Sequence, residues 1–145
     1  MSASVNVAAL VPQRDSMCLL DSVETWDANR IVCRAVSHRA LNNPLRRAGV
    51  LPAPCGVEYG LQAMAAHGAL AGRPPRRTGL LASLRRMRFY VERLDDIADA
   101  LVVEARRLSE DPRLLVYEFA ISAGGRRLLD GRAIVVESPP KAAGS

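Results

Sequence analysis

Apolar residues alternate with polar ones in four stretches of the second half of the chain. These are 79–94 (GLLASLRRMRFYVERL), 99–109 (DALVVEARRLS), 113–123 (RLLVYEFAISA) and 126–138 (RRLLDGRAIVVES). Period two is the repeat of a strand with one buried face. Asp95-Asp96, Asp111-Pro112 and Gly124-Gly125 separate the stretches as turn signals, and connections this short favour antiparallel neighbours. Earlier in the chain, 16–25 (SMCLLDSVET) begins a strand. In 30–38 (RIVCRAVSH), Ile31, Cys33 and Ala35 alternate against Val32, Arg34 and Val36. The turn-forming DANR between these two predicts a hairpin. From Arg39 to Pro54, Pro44, Gly49, Pro52 and Pro54 stand beside Asn42-Asn43, a composition that predicts a long loop.

Over 55–71 the period changes to that of a helix. Val57, Leu61, Met64 and Ala65 recur at i, i+4, i+7 and i+8, and Gly68 continues the stripe as a place for close packing. So little polar surface predicts a buried helix, which GRPPRR (72–77) ends because proline cannot continue it. Two strands, a long loop, one buried helix and four strands predict an α+β fold, with an antiparallel sheet wrapped around one central helix. The 145 residues form a single domain, with an ordered core over about 10–137 and a disordered tail, PPKAAGS.

Composition narrows the function. No apolar run approaches the ~20 residues that cross a bilayer, and the first residues lack the basic-then-apolar pattern of a signal peptide. Cys18, Cys33 and Cys55 form no CxxC pair and are odd in number, so reduced thiols in the cytoplasm are expected. The net charge of +5 is carried by arginine, Lys141 being the only lysine. With aromatics at 4% and no recognition motif, nucleic acid is not the expected partner. Planar guanidinium groups suit an acidic protein or a phosphorylated ligand.

The helix poses a chemical question. Glu58 and Gln62 differ by four positions, about 40° of rotation, and so share a face of an otherwise apolar helix. A carboxylate in the first turn is favoured by the helix dipole whether or not it does chemistry. A long loop delivering the chain to the start of a buried helix is, however, where sites are often built. His67 lies about 180° from Glu58, on a face where histidine is usually a hydrogen-bonded core residue. Cys55 at the helix start, with His38 as its base, is a further arrangement to test, against the commoner role of a free cysteine as a small hydrophobe.

The helix VEYGLQAMAAHGAL is similar to the central helix of the 3-hydroxyacyl-(acyl carrier protein) dehydratases, and LVPQRDSMCLLDSV resembles their N-terminal segment. MCLLDSVETWDANRIVC, SHRALNNPLRRAGVLPAPCGVEYGLQAMAAHGAL and LASLRRMRFYVERLDD resemble the aryl polyene subgroup of these enzymes, a likeness over about residues 10–137. The resemblance implies a hotdog fold and dehydration of a 3-hydroxyacyl thioester to the trans-2-enoyl thioester, in aryl polyene or fatty acid-like biosynthesis. It implies no metal and no cofactor beyond the phosphopantetheine arm of acyl carrier protein. It also implies a homodimer, or a heterodimer with a related hotdog subunit, with sheets joined edge to edge and sites shared between subunits.

Carried over residue by residue, the helix carboxylate that protonates the leaving hydroxyl is Glu58. The backbone donor to the thioester carbonyl lies at Gly56-Val57, and Gln62 orients Glu58 or a water. The loop histidine that takes the α-proton corresponds to His38. The chain departs from the pattern twice: the compact His-Phe-Pro-Gly before the helix becomes a longer stretch, and the N-terminal Pro-His is Pro12-Gln13. A positively charged mouth for the acidic carrier protein is expected at Arg76, Arg77, Arg86 and Arg88. Strand alternation sets Arg86 and Arg88 on one face and Arg85 on the other. Two other functions fit the same residues: an acyl thioesterase using the helix carboxylate with water, and a catalytically silent carrier-protein-binding subunit.

Overall fold

The computed structural model describes residues 18–72, 81–109, 111 and 114–136. Arg76, Arg77, Gln13 and the expected C-terminal tail lie outside these. The elements follow the expected order: β1 (Ser22–Trp26), β2 (Arg30–Ala35), α1 (Gly56–Leu70), β3 (Leu81–Phe89), β4 (Leu101–Arg107), β5 (Leu114–Ala123) and β6 (Arg126–Val136). Two short 3₁₀ turns, Ser37–Arg39 and Ala53–Cys55, bracket the long loop. The six strands form one antiparallel sheet in the order β1-β2-β4-β5-β6-β3.

The expected hairpin of β1 and β2 is present, closed by Asp27, whose carboxylate accepts the Asn29 and Arg30 N–H groups at 2.8 and 2.9 Å. The hairpin of β5 and β6 turns on Gly124 and Gly125, with φ of 57° and 79°. Positive φ at both central positions is what a two-residue hairpin turn of matching twist requires. The expectation that β3 neighbours β4 is overturned, because β3 pairs with β6 at the far edge. The segment after β3 is held by the long loop instead. Leu94 N–H donates to Leu51 O at 2.8 Å, Ala53 N–H to Glu92 O at 3.0 Å, and Leu51 N–H to the Asp95 carboxylate at 2.8 Å. An Arg93–Asp95 ion pair fixes the same corner and holds the Asp95 carboxyl well below the usual range.

The helix lies on one face of the sheet, against β2, β4 and β5. Its buried residues are Gly56, Tyr59, Gly60, Gln62, Ala63, Met64, Ala66 and His67. Half of these are small, Gly56, Gly60, Ala63 and Ala66, and of the expected stripe Met64 is buried while Val57, Leu61, Ala65 and Gly68 lie half-buried at the flank. Glycine is the reason. A Cβ at Gly60 would sit 2.6 Å from Cδ2 of Phe119, and one at Gly56 2.6 Å from Cδ2 of Leu129. The helix axis can approach the sheet only where such side chains are missing. Leu19, Ile31, Leu101, Tyr117, Phe119, Ile121 and Leu129 fill the core beneath it.

Candidate active site

Glu58 stands half-buried in the first turn of α1. Gln62, one turn on, is almost fully buried and turns its amide toward Glu58, with Nε2 3.5 Å from Oε1. The Gln62 Oε1 accepts the Leu19 N–H at 2.9 Å. A buried amide on an apolar helix thus satisfies the backbone of the segment leading into β1, and a buried N–H left unpaired would be costly. Glu58 and Gln62 form one unit, as their shared face predicts.

The Gly56 N–H points back to the Ala53 and Pro54 carbonyls of the preceding turn. It is engaged, which leaves Val57 as the candidate donor of the expected pair Gly56-Val57.

His38 lies in the turn Ser37–Arg39 that follows β2. Although it stands at the edge of a loop, it is completely buried. Its Nε2 is 3.0 Å from the Ile97 carbonyl oxygen. A carbonyl only accepts, so Nε2 carries the proton and neutral His38 keeps its lone pair on Nδ1. That Nδ1 is enclosed and has no hydrogen-bond partner among the described residues. Burial lowers the imidazole pKa; the backbone at Ile97 and Asp99 offsets this in part, and the charges of Arg39 and Arg46 reinforce it. Desolvation disfavours the charged form. Burial and the bond to Ile97 thus both favour the neutral imidazole, with its lone pair on the enclosed Nδ1.

Between His38 and Glu58 runs a buried polar cluster that the sequence reading did not single out. Tyr59 Oη is 2.7 Å from Ser37 Oγ and accepts from Asn43 Nδ2 at 3.2 Å. Ser37 Oγ donates to Leu19 O at 2.7 Å, and Asn43 Nδ2 also donates to Ser37 O at 2.9 Å. Tyr59 directly follows Glu58 and Ser37 directly precedes His38, which was the available signal. Arg46 adds a contact from Nη2 to His38 O at 3.3 Å and another from Nη1 to Gly49 O at 2.7 Å.

The other titratable candidates are accounted for by structure. His67 has both nitrogens occupied, Nδ1 2.6 Å from Tyr117 Oη and Nε2 2.8 Å from Asp27 O, which makes it the core residue that its helical face predicted. The Cys55 thiol lies 3.8 Å from Leu45 O, and burial pushes its pKa up, away from the thiolate that a nucleophile needs.

Arg86 and Arg88 stand exposed on the face of the sheet opposite α1, in a groove shared with Arg127, Arg132, Glu118 and Asp130. The expectation that Arg85 faces the other way is overturned by a bulge in β3. Arg85 pairs with Arg132 and Arg88 with Asp130, so two residues intervene where regular pairing has one. Arg86 takes up the extra residue at φ 55°, a strained value for a side chain with a Cβ. The bulge returns Arg85 to the outer face, where register aligns Arg30, Arg106, Glu118, Arg132 and Arg85 across five strands.

Comparison with known proteins agrees with this fold. The dehydratase heterocomplex ApeI:P from Xenorhabdus doucetiae has a chain that superimposes with a TM-score of 0.76 at 21% identity, covering 94% of this chain and 93% of that one. AziG of S. sahachiroi matches at 0.60 and 14%, covering 86% and 94%. A hypothetical thioesterase with coenzyme A from Streptococcus pneumoniae matches at 0.59 and 12%, covering 83% and 88%. At these identities the likeness is one of fold, and the fold is the hotdog. No curated protein sequence matches the chain. The model of the ApeP-like family, described as ApeP dehydratase, matches residues 5–144. Over nearly its whole length, then, the chain belongs to the ApeP-like dehydratase family.

Proposed function

We propose that the chain dehydrates a 3-hydroxyacyl thioester carried on acyl carrier protein, in the cytoplasm, as a step of aryl polyene or fatty acid-like biosynthesis. His38 Nδ1 takes a proton from C2 of the acyl chain, and the electron pair moves toward the thioester carbonyl. Val57 N–H stabilises the charge developing on that oxygen, as a fixed donor does best. Glu58 delivers a proton to the C3 hydroxyl, which departs as water and leaves the trans-2-enoyl thioester. Gln62 holds Glu58 from one turn away. No metal or organic cofactor enters these steps.

The observation that carries the reading is the state of His38: neutral, fixed through Nε2–H, with an unpartnered basic Nδ1. Within one chain that nitrogen is walled off from solvent, so the substrate reaches it only when the residues around the His38 turn move. A second hotdog subunit, the same chain or a related one, completes the site. The outer edge of β3 suits this role, because Leu84 and Phe89 beside it are 44% and 41% exposed. The carrier protein docks on guanidinium groups, of which Arg86 and Arg88 are our candidates among the described residues. The arm then rounds the Phe89 end of β3, because Phe89 pairs with Leu129 and Leu129 touches Gly56 at the start of α1.

The enclosure of His38 also favours a second reading, in which this chain is a silent subunit that binds the carrier protein beside an active homologue. Incubation with a 3-hydroxyacyl carrier-protein thioester separates the functions. Enoyl product is the expected result; free acid means a thioesterase, and unchanged substrate means a silent subunit.

A further inference from the structure

The hydroxyl of Tyr59 sits at a junction whose protons can all be assigned. Ser37 Oγ has one proton, and its contact with the Leu19 carbonyl at 2.7 Å uses it. The 2.7 Å contact between Ser37 Oγ and Tyr59 Oη is therefore donated by tyrosine. Asn43 Nδ2 has two protons, one on Ser37 O and one on Tyr59 Oη, while Asn43 Oδ1 accepts the Leu45 N–H at 2.9 Å. The chain of donation runs from Asn43 through Tyr59 and Ser37 to Leu19. Leu19 N–H continues to Gln62 and so to Glu58. Tyr59 and Asn43 are buried, at 0% and 6% exposure, and Ser37 is half-buried; a fully satisfied network of this kind fixes its members in one arrangement.

Its ends bear on chemistry. Tyr59 is one residue from Glu58, Ser37 one residue from His38, and the Asn43 bond holds the carbonyl on the N-terminal side of His38. Much of the chain between the two site residues is the irregular loop 39–54, which has many conformations to lose. Resting on the function proposed above, we propose that Tyr59, through its bridge to Ser37 and Asn43, is a positioning residue that sets the His38 turn against the first turn of α1. It touches no reacting atom. Its effect is on where the base sits and how dry the base is kept, beside the Arg39 and Arg46 charges that face the same turn.

Tyr59→Phe tests this, since it removes one oxygen and leaves the ring in the core. His38 and His67 are the only histidines, so imidazole NMR reads the base directly and has an internal control. The expected result is a His38 titration midpoint moved up toward the unburied value of about 6.5, with the His67 signals unmoved. On the carrier-protein thioester, kcat is expected to fall about ten- to a hundred-fold with KM nearly constant, the signature of a misplaced group. If Tyr59→Phe fails to fold, Ser37→Ala removes the acceptor of the same bridge from a half-buried position and carries the same expectations. An unshifted His38 in a folded variant overturns the proposal whatever the activity. A shifted His38 in a protein whose wild type forms no enoyl product supports the positioning and overturns the dehydratase reading instead.

Discussion

Replacing His38 with glutamine separates its chemistry from its packing. His38→Ala deletes a completely buried ring that donates to the Ile97 carbonyl at 3.0 Å. A large-to-small change in a core costs about 2–5 kcal/mol, and a buried carbonyl left without its donor adds about 1–3 kcal/mol. The alanine variant is therefore expected to lose about 3–8 kcal/mol, much of a typical stability of ~5–15 kcal/mol, and its inactivity would prove little. His38→Gln keeps an N–H donor within reach of Ile97 and most of the volume, so a cost of no more than about 1.5 kcal/mol is expected. It removes the basic nitrogen altogether, and loss of a general base lowers kcat by roughly 10²–10⁴.

Linkage supplies an independent check on the same pair. The folded-state pKa of His38 is lowered by burial, so below about 6.5 the unfolded chain binds a proton that the folded one refuses. Wild-type stability should fall as pH drops from about 6.5 toward the folded pKa, by at most about 1.4 kcal/mol per pH unit from this group, and level off below it. The glutamine variant lacks that slope, while His67 is common to both proteins and cancels in the difference. Denaturant unfolding across pH, with enoyl formation measured beside it, reads both effects. A folded His38→Gln protein that turns over at the wild-type rate would refute the assignment of the base. Equal pH slopes in the two proteins would refute its burial as the neutral form.

Reversing Arg86 and Arg88 to glutamate should raise KM for the carrier-bound substrate with kcat nearly unchanged and leave a short pantetheine thioester unaffected. Because long-range attraction is screened, the difference should shrink with salt; equal loss on both substrates would place these arginines in the fold or the site. In Gly60→Ala, helix propensity gains about 1 kcal/mol, but the new methyl meets the buried Phe119 ring at 2.6 Å. Overpacking costs about 1–3 kcal/mol, so a net loss near 1 kcal/mol and a Tm lower by roughly 3 °C are expected; a higher Tm would show the ring can yield. Leu84→Glu puts a charge beside the β3 edge and should weaken subunit association in sedimentation while leaving each subunit folded; unchanged association would move the interface elsewhere.

Much of the fold is legible because each element carries a clean period. The helix, β2 and the last three strands fall within a few residues of their patterns, whereas β1 begins at Ser22 rather than at 16 and β3 ends at Phe89 rather than at 94. Strand order is less legible, since the partner of β3 is set by long-range contacts, including those of Leu94 and Asp95 with Leu51. Periodicity also misjudges the face of α1. It weights large apolar residues, whereas close approach to the sheet selects Gly56 and Gly60. Glu58 and Gln62 are readable as one unit from spacing alone. Nothing local shows that His38 is buried, or that Ser37, Asn43 and Tyr59 meet, because loop residues are brought together by tertiary packing. The arginines of β3 mislead for one reason, a bulge of one extra residue that no alternation rule foresees.

The most direct test of the account is turnover of a 3-hydroxyacyl carrier-protein thioester by Glu58→Gln at saturating substrate. The change preserves shape beside Gln62 and removes only the acid that protonates the leaving hydroxyl. With the fold verified intact, the account predicts enoyl formation reduced by roughly 10²-fold or more; turnover at the wild-type rate would contradict it.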